Sequence, residues 1–63
     1  MDIEEKRRIL AERISIVEEH KQIVQSNIDG GYQNKDGQPS FQSLVQDFTL
    51  QREALVNALN DLQ

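Results

Sequence analysis

The sequence contains no cysteine in its 63 residues, and its only histidine is His20. A disulfide is therefore excluded, and a structural zinc site, which takes four cysteine or histidine ligands, is not expected. A chain this short buries only ~60% of the surface that it exposes when unfolded, so small domains are usually reinforced by a disulfide, a metal or association. Association is the means that remains. The lack of cysteine also agrees with a cytoplasmic protein, which we expect.

Long apolar runs are absent as well. No run approaches the ~20 residues of a membrane span, and the start of the chain is acidic where a signal peptide is basic. The formal net charge of −4 argues against a nucleic-acid binder. There is no cluster of metal ligands and no glycine-rich phosphate loop, and a single layer of two helices leaves no enclosed pocket for a substrate. We therefore expect no membrane contact, no metal, no cofactor and no enzymatic activity.

Two helical segments account for most of the chain. Asp2 followed by Glu5 is a capping-box-like signal, and no glycine or proline interrupts the chain before Gly30. Ser40 after the single proline is a good N-cap for a second helix. Apolar residues recur in both segments at helical steps of three, four or seven. The pattern predicts one domain over residues 1–63, with helices at about 3–28 and 41–62 and a loop at about 29–39.

The two apolar stripes match when the chain folds back on itself. We assigned heptad positions to each helix separately and then paired them antiparallel. Every resulting layer holds at least one apolar side chain: Ile28–Phe41, Val24–Val45, Lys21–Phe48, Val17–Arg52, Ile14–Leu55, Leu10–Leu59 and Arg7–Leu62. We call these layers the seam. The fold expected is all-α, an antiparallel, coiled-coil-like hairpin, and we expect Arg52 to reach Glu18.

A second apolar surface lies outside the seam. Ile9, Ile16 and Ile23 repeat every seven residues on the first helix, and Leu44 and Ala58 belong to the same side of the second helix. We call these five residues the isoleucine face. Single surface isoleucines are common, but three in register on a small domain indicate an interface. We expect two hairpins to pair there into a four-helix bundle; the alternative is that this face binds a different protein.

A polar ladder on the first helix runs between the three isoleucines and the seam: Lys6, Arg13, His20 and Asn27. Because the face offers few acids, we expect the charged heads of Lys6 and Arg13 to reach the rim. Arg13 and His20 are counted with the interface. His20 could make assembly sensitive to pH, but we favour a hydrogen-bonded interface residue.

The loop contains three glycines and a proline, which give turn chemistry along its length. Its Asn34-Lys35-Asp36-Gly37 segment superficially matches the middle of a calcium loop, but Tyr32 and Ser43 stand where such a loop needs acids. We therefore reject calcium. Tyr32 is expected to close over the end of the bundle near Phe41, and the alternative is an exposed contact with a partner.

The length of the hairpin and its expected pairing resemble the plasmid Rop family, whose members bind RNA through the first helices of two subunits. The resemblance is one of shape and size and covers the helices, since the loop here is longer. It implies an RNA-binding regulator that uses Lys6, Arg13, His20 and Asn27.

In size and style the chain also resembles phage and plasmid accessory proteins, which bind and redirect host or viral proteins, and small secretion chaperones share the shape. We favour a non-enzymatic, dimeric adaptor or regulator that binds a host or viral protein.

Overall fold

A computed structural model describes residues 2–62; Met1 and Gln63, which belong to the expected domain, lie outside the described residues. The chain forms two α-helices, α1 (Ile3–Asp29) and α2 (Phe41–Asp61), packed along their length as an antiparallel hairpin. The hairpin measures 43 × 16 × 15 Å, so it is a single layer of helices. The expected all-α hairpin is confirmed, and the helix bounds differ from the expected ones by one residue.

The caps explain where both helices begin. An Asp2 Oδ1 atom accepts a hydrogen bond from the Glu5 backbone N–H at 2.7 Å. Ser40 Oγ accepts from the Ser43 backbone N–H at 3.0 Å. Each bond satisfies one of the backbone donors that the first turn of a helix leaves unpaired.

α1 ends in a Schellman motif. Gly31 has φ +78°, its N–H donates to the Ile28 carbonyl at 2.9 Å, and the Tyr32 N–H donates to the Asn27 carbonyl at 2.9 Å. These two bonds satisfy carbonyls that the helix end would otherwise leave free. A glycine at position 31 is therefore required by its backbone conformation, since side chains disfavour positive φ.

The seam lies between α1 and α2 as expected. Three contacts spaced along the hairpin agree with the predicted layers: Arg52 pairs with Glu18, the His20 and Phe48 rings are 6.0 Å apart, and Arg7 Nη2 lies 3.5 Å from the Leu62 carbonyl oxygen. The expected reach of Arg52 to Glu18 is thereby confirmed. Twelve seam residues are half-buried: Leu10, Ile14, Val17, Lys21, Val24, Ile28, Phe41, Val45, Phe48, Leu55, Leu59 and Leu62.

No residue within 2–62 is fully buried, either apolar or polar. The cause is geometric, because a helix in a single pair turns one stripe to its neighbour and leaves the rest of its surface to water. Even the central Ile14 and Leu55 reach only the half-buried class. The hairpin by itself thus has a seam but no enclosed core.

Candidate protein interaction face

Two shallow grooves run along the side of the hairpin that carries the isoleucine face. One groove is lined by Ile16 and Arg13 of α1 and by Gln51 and Ala54 of α2, above the seam residues Val17 and Leu55. The other is lined by Lys6, Ile9, Leu10, Arg13, Ala58 and Leu62. The structure therefore brings Ile9, Arg13, Ile16 and Ala58 together on one side, as the sequence predicted. Apolar atoms make up most of both groove surfaces.

The isoleucines of this face keep much of their surface in water. Ile16 is 50% exposed and Ile23 is 56% exposed, whereas Ile9 is half-buried. Ile23 follows Ile16 by seven residues, and Leu44 precedes Gln51 by seven, so helical periodicity places both on the side of the grooves. Leu44 is half-buried and Ala58 is exposed. The result is an apolar surface on both helices that the hairpin leaves partly uncovered.

The polar ladder of α1 runs between the isoleucines and the seam, since Arg13 lines both grooves and His20 lies beside the seam residue Phe48. Lys6, Arg13 and His20 are exposed, and Asn27 is half-buried with its Nδ2 atom donating to the Ile23 carbonyl at 3.3 Å. His20 lies beside Phe48 with an angle of 58° between the ring planes, an ordinary tilted arrangement. This ring contact involves no hydrogen bond, so a hydrogen bond from His20 across an interface stays a prediction.

Two acids on α2, which the sequence reasoning did not include, face the same side. Asp47 and Asp61 lie seven residues before and after Ala54, which lines a groove, and both are exposed. The sequence signal for them is their spacing, because Asp47 follows Leu44 by three residues and Asp61 follows Ala58 by three, which places each pair side by side on the helix surface. The expectation that the face is poor in acids is therefore corrected, because Asp47 and Asp61 of α2 lie on the same side as the bases of the α1 ladder.

None of the charges on this side forms an ion pair within residues 2–62. The ion pairs recorded there are Arg8–Glu12, at 3.4 Å on the outer surface of α1, and Arg52–Glu18. Arg52–Glu18 lies on the opposite side of the hairpin, in a groove shared with Lys21. The other residues that line this groove are polar: Gln22, Gln25, Thr49 and Glu53.

Three large exposed apolar residues within 2–62 lie outside the isoleucine face: Ile3, which is 53% exposed at the start of α1, Leu50 and Tyr32. Leu50 is 57% exposed and was not singled out in the sequence; it is rotated by about 100° from its neighbour Gln51, which lines the groove.

Tyr32 is 68% exposed, and its ring lies against the backbone of Gly30. The expectation that Tyr32 closes over the bundle end near Phe41 is therefore wrong, because the Schellman turn directs its ring back along α1. An exposed loop contact is the alternative that fits.

The described residues carry little else that could form a site. No group of three or more histidine, cysteine, aspartate or glutamate side chains is arranged to hold a metal within residues 2–62. Neither helix is long and apolar enough in its described part to cross a membrane. The isoleucine face is consequently the candidate site of this chain.

Comparison with known proteins does not add a relative: no protein-family model matches the chain, and no curated protein and no solved structure matches it.

Proposed function

We propose that this chain is a non-enzymatic protein–protein interaction module, a small adaptor or regulator that acts as a homodimer through the isoleucine face. The observation that carries the proposal is the pair of apolar grooves beside Ile9 and Ile16, on a hairpin in which no residue of 2–62 is buried. Contiguous exposed apolar surface marks interaction sites.

The energetics favour closing this face. Full burial of an isoleucine stabilises by roughly 1.5–3 kcal/mol, and Ile16 and Ile23 still expose half of their surface or more. In a two-fold dimer every contact is made twice, which doubles the gain from each residue. Association has to offset the loss of translational and rotational freedom. Partial shielding of the seam residues Leu10, Val17 and Leu55, which line the grooves, adds to the gain.

A dimer of this kind keeps other surfaces for a second protein. Leu50 on α2 and Tyr32 in the loop lie outside the isoleucine face and are exposed. Aromatic residues such as tyrosine are enriched in protein interfaces. These two residues are therefore the places where the adaptor contacts the host or viral protein that the size and style of the chain suggest.

Sedimentation equilibrium tests the dimer. We expect the wild type to sediment at twice the mass of the 7.3 kDa chain. Ile16→Asp places a charge in the middle of the face, and because a buried unpaired charge costs several kcal/mol, this variant should sediment as a monomer. The matched control is Leu50→Asp, which alters a similarly exposed residue of α2 outside the face and should leave the dimer intact. A wild type that is monomeric at high micromolar concentration contradicts the proposal.

The second candidate is an RNA-binding regulator, and the exposed row of Lys6, Arg13 and His20 on α1 is the feature in its favour. RNA binding through these residues predicts an affinity that falls steeply with salt and weakens further in Arg13→Ala. The neighbouring Asp47 and Asp61 repel phosphate, so we favour the protein interaction. Titration of the wild type with a short RNA hairpin at two salt concentrations separates the two functions.

A further inference from the structure

We propose that the two copies pair with α1 of each subunit against α2 of the other, about a two-fold axis parallel to the helices. This arrangement rests on the proposed homodimer and specifies its geometry. It is inferred from how size and charge are distributed over the isoleucine face. The competing arrangement has its two-fold axis perpendicular to the helices and places α1 against α1.

The hairpin fixes which residues lie at the same level along its length. The Arg52–Glu18 pair and the His20–Phe48 contact set the register. Counting along the helices from these contacts, Ala58 lies within two residues of the level of Ile9, Ala54 within two of Ile16, and Leu44 within two of Ile23. An axis parallel to the helices preserves these levels between subunits.

Size complementarity follows from those levels. When α1 faces the partner's α2, Ile9 and Ile16 meet the partner's Ala58 and the partner's Ala54, two small residues that already line grooves. A large side chain opposite a small one lets two helices approach closely and interdigitate. Ile23 meets the partner's Leu44 at the loop end, so every isoleucine has an apolar neighbour at its own level.

Charge complementarity points the same way. Lys6 lies within two residues of the level of Asp61, and His20 lies within two residues of the level of Asp47. Pairing α1 with the partner's α2 therefore sets the Lys6 ammonium of one subunit against the Asp61 carboxylate of the other, and it sets the His20 ring, a hydrogen-bond donor, against Asp47. Arg13 lies between the levels of Ala54 and Ala58, where small partner side chains leave space for its long stem.

The competing arrangement fails on the same charges. In that arrangement α1 packs on the partner's α1, and the two-fold axis passes through the level of Ile16. Arg13 then lies within one residue of the level of the partner's His20. On the other side of that interface, Asp61 comes within two residues of the level of the partner's Asp47. Asp61 and the partner's Asp47 are like charges, which destabilise an interface when they face each other and select against wrong pairings. The position of Lys6 opposite Asp61, and the repulsion between Asp61 and Asp47 in the competing arrangement, thus favour α1 against α2.

Cysteine cross-linking tests the arrangement, because the chain has no cysteine of its own. Ile16→Cys and Ala54→Cys are prepared as separate single variants, mixed in equal amounts and treated with a short bis-maleimide. We expect several-fold more cross-linked dimer in the mixture than in either variant alone. Ile9→Cys mixed with Ala58→Cys should behave in the same way, and single cysteines rule out links within one chain.

Two results overturn the arrangement, and they are distinguishable. Strong cross-linking of Ile16→Cys with itself, equal to or above that of the mixture, places Ile16 on the two-fold axis and establishes α1 against α1 in a dimer that still exists. Monomeric sedimentation of the wild type and of both cysteine variants removes the dimer itself and the proposed function with it. Sedimentation of the unreacted variants is therefore measured alongside.

Discussion

At the residue scale, the seam is built from side chains that each keep contact with water. Leu55 and Leu10 occupy central and distal layers, and both are half-buried. Each also lines a groove of the isoleucine face. A substitution in the seam therefore removes contacts within the hairpin and contacts that a second subunit would make.

Truncation of the seam should destabilise the protein strongly. Leu55→Ala or Leu10→Ala is expected to lower the free energy of unfolding by about 2–5 kcal/mol, the usual range for leucine in a packed site. Such a loss is a large share of the stability of a small domain. The measurement is urea unfolding followed by circular dichroism. Leu50→Ala is the matched control, since an exposed leucine should change stability by less than about 0.5 kcal/mol; equal effects of Leu55→Ala and Leu50→Ala would refute the seam.

Residues were predictable to the extent that periodicity governs them. The heptad pattern located the seam and the isoleucine repeat, and the gap at Arg52 suggested its bond to Glu18. Tyr32 was misjudged because its direction depends on the backbone turn at Gly31, whose φ the sequence does not specify. Leu50 was overlooked since a single exposed leucine has no periodic partner.

At the element scale, local capping chemistry sets the lengths of the helices. Asp2 and Ser40 accept backbone hydrogen bonds at the two N-termini, and the glycine pair ends α1. These are short-range signals that are readable in sequence, which is why the predicted bounds were accurate to one residue. The pairing of one hairpin with another depends on contacts outside the chain and stays a prediction.

The loop has its own internal bonds. Asn34 Nδ2 donates to the Pro39 carbonyl at 2.9 Å, and the Gln38 N–H donates to the Lys35 carbonyl at 3.1 Å across a turn that contains Gly37 at φ +84°. Loop residues other than Asn34 are exposed. The loop thus folds upon itself and contributes little to the packing of α1 on α2.

Shortening the loop should therefore spare the helices. Replacement of residues 31–37 by a short Gly-Ser link that begins with glycine preserves the cap of α1, and loop length changes closure entropy only slightly. We expect the helical circular dichroism signal and the dimer mass to be retained. Loss of binding to a protein partner with folding intact would assign that contact to the loop and Tyr32. Loss of folding would show instead that the loop is structural, contrary to this expectation.

At the scale of the whole molecule, residues 2–62 form one layer of helices in which no side chain is fully buried. Its two sides differ: one carries polar side chains around the Arg52–Glu18 pair, and the other carries the isoleucine face. The sequence indicated the isoleucine face because Ile9, Ile16 and Ile23 repeat every seven residues. It did not indicate the two acids of α2 on the side of the isoleucine face, because Asp47 and Asp61 are recognised only once Ala54 is placed in a groove.

The central claim is that a second copy of the chain completes the fold, and thermal unfolding at several protein concentrations tests it most directly. When folding is linked to association, the Tm rises with protein concentration by mass action. We predict a clear rise in the Tm of the wild type over about a hundredfold range of concentration, and a Tm for Ile16→Asp that is lower and independent of concentration. A wild-type Tm that stays constant over that range, with a single cooperative transition, would contradict the account.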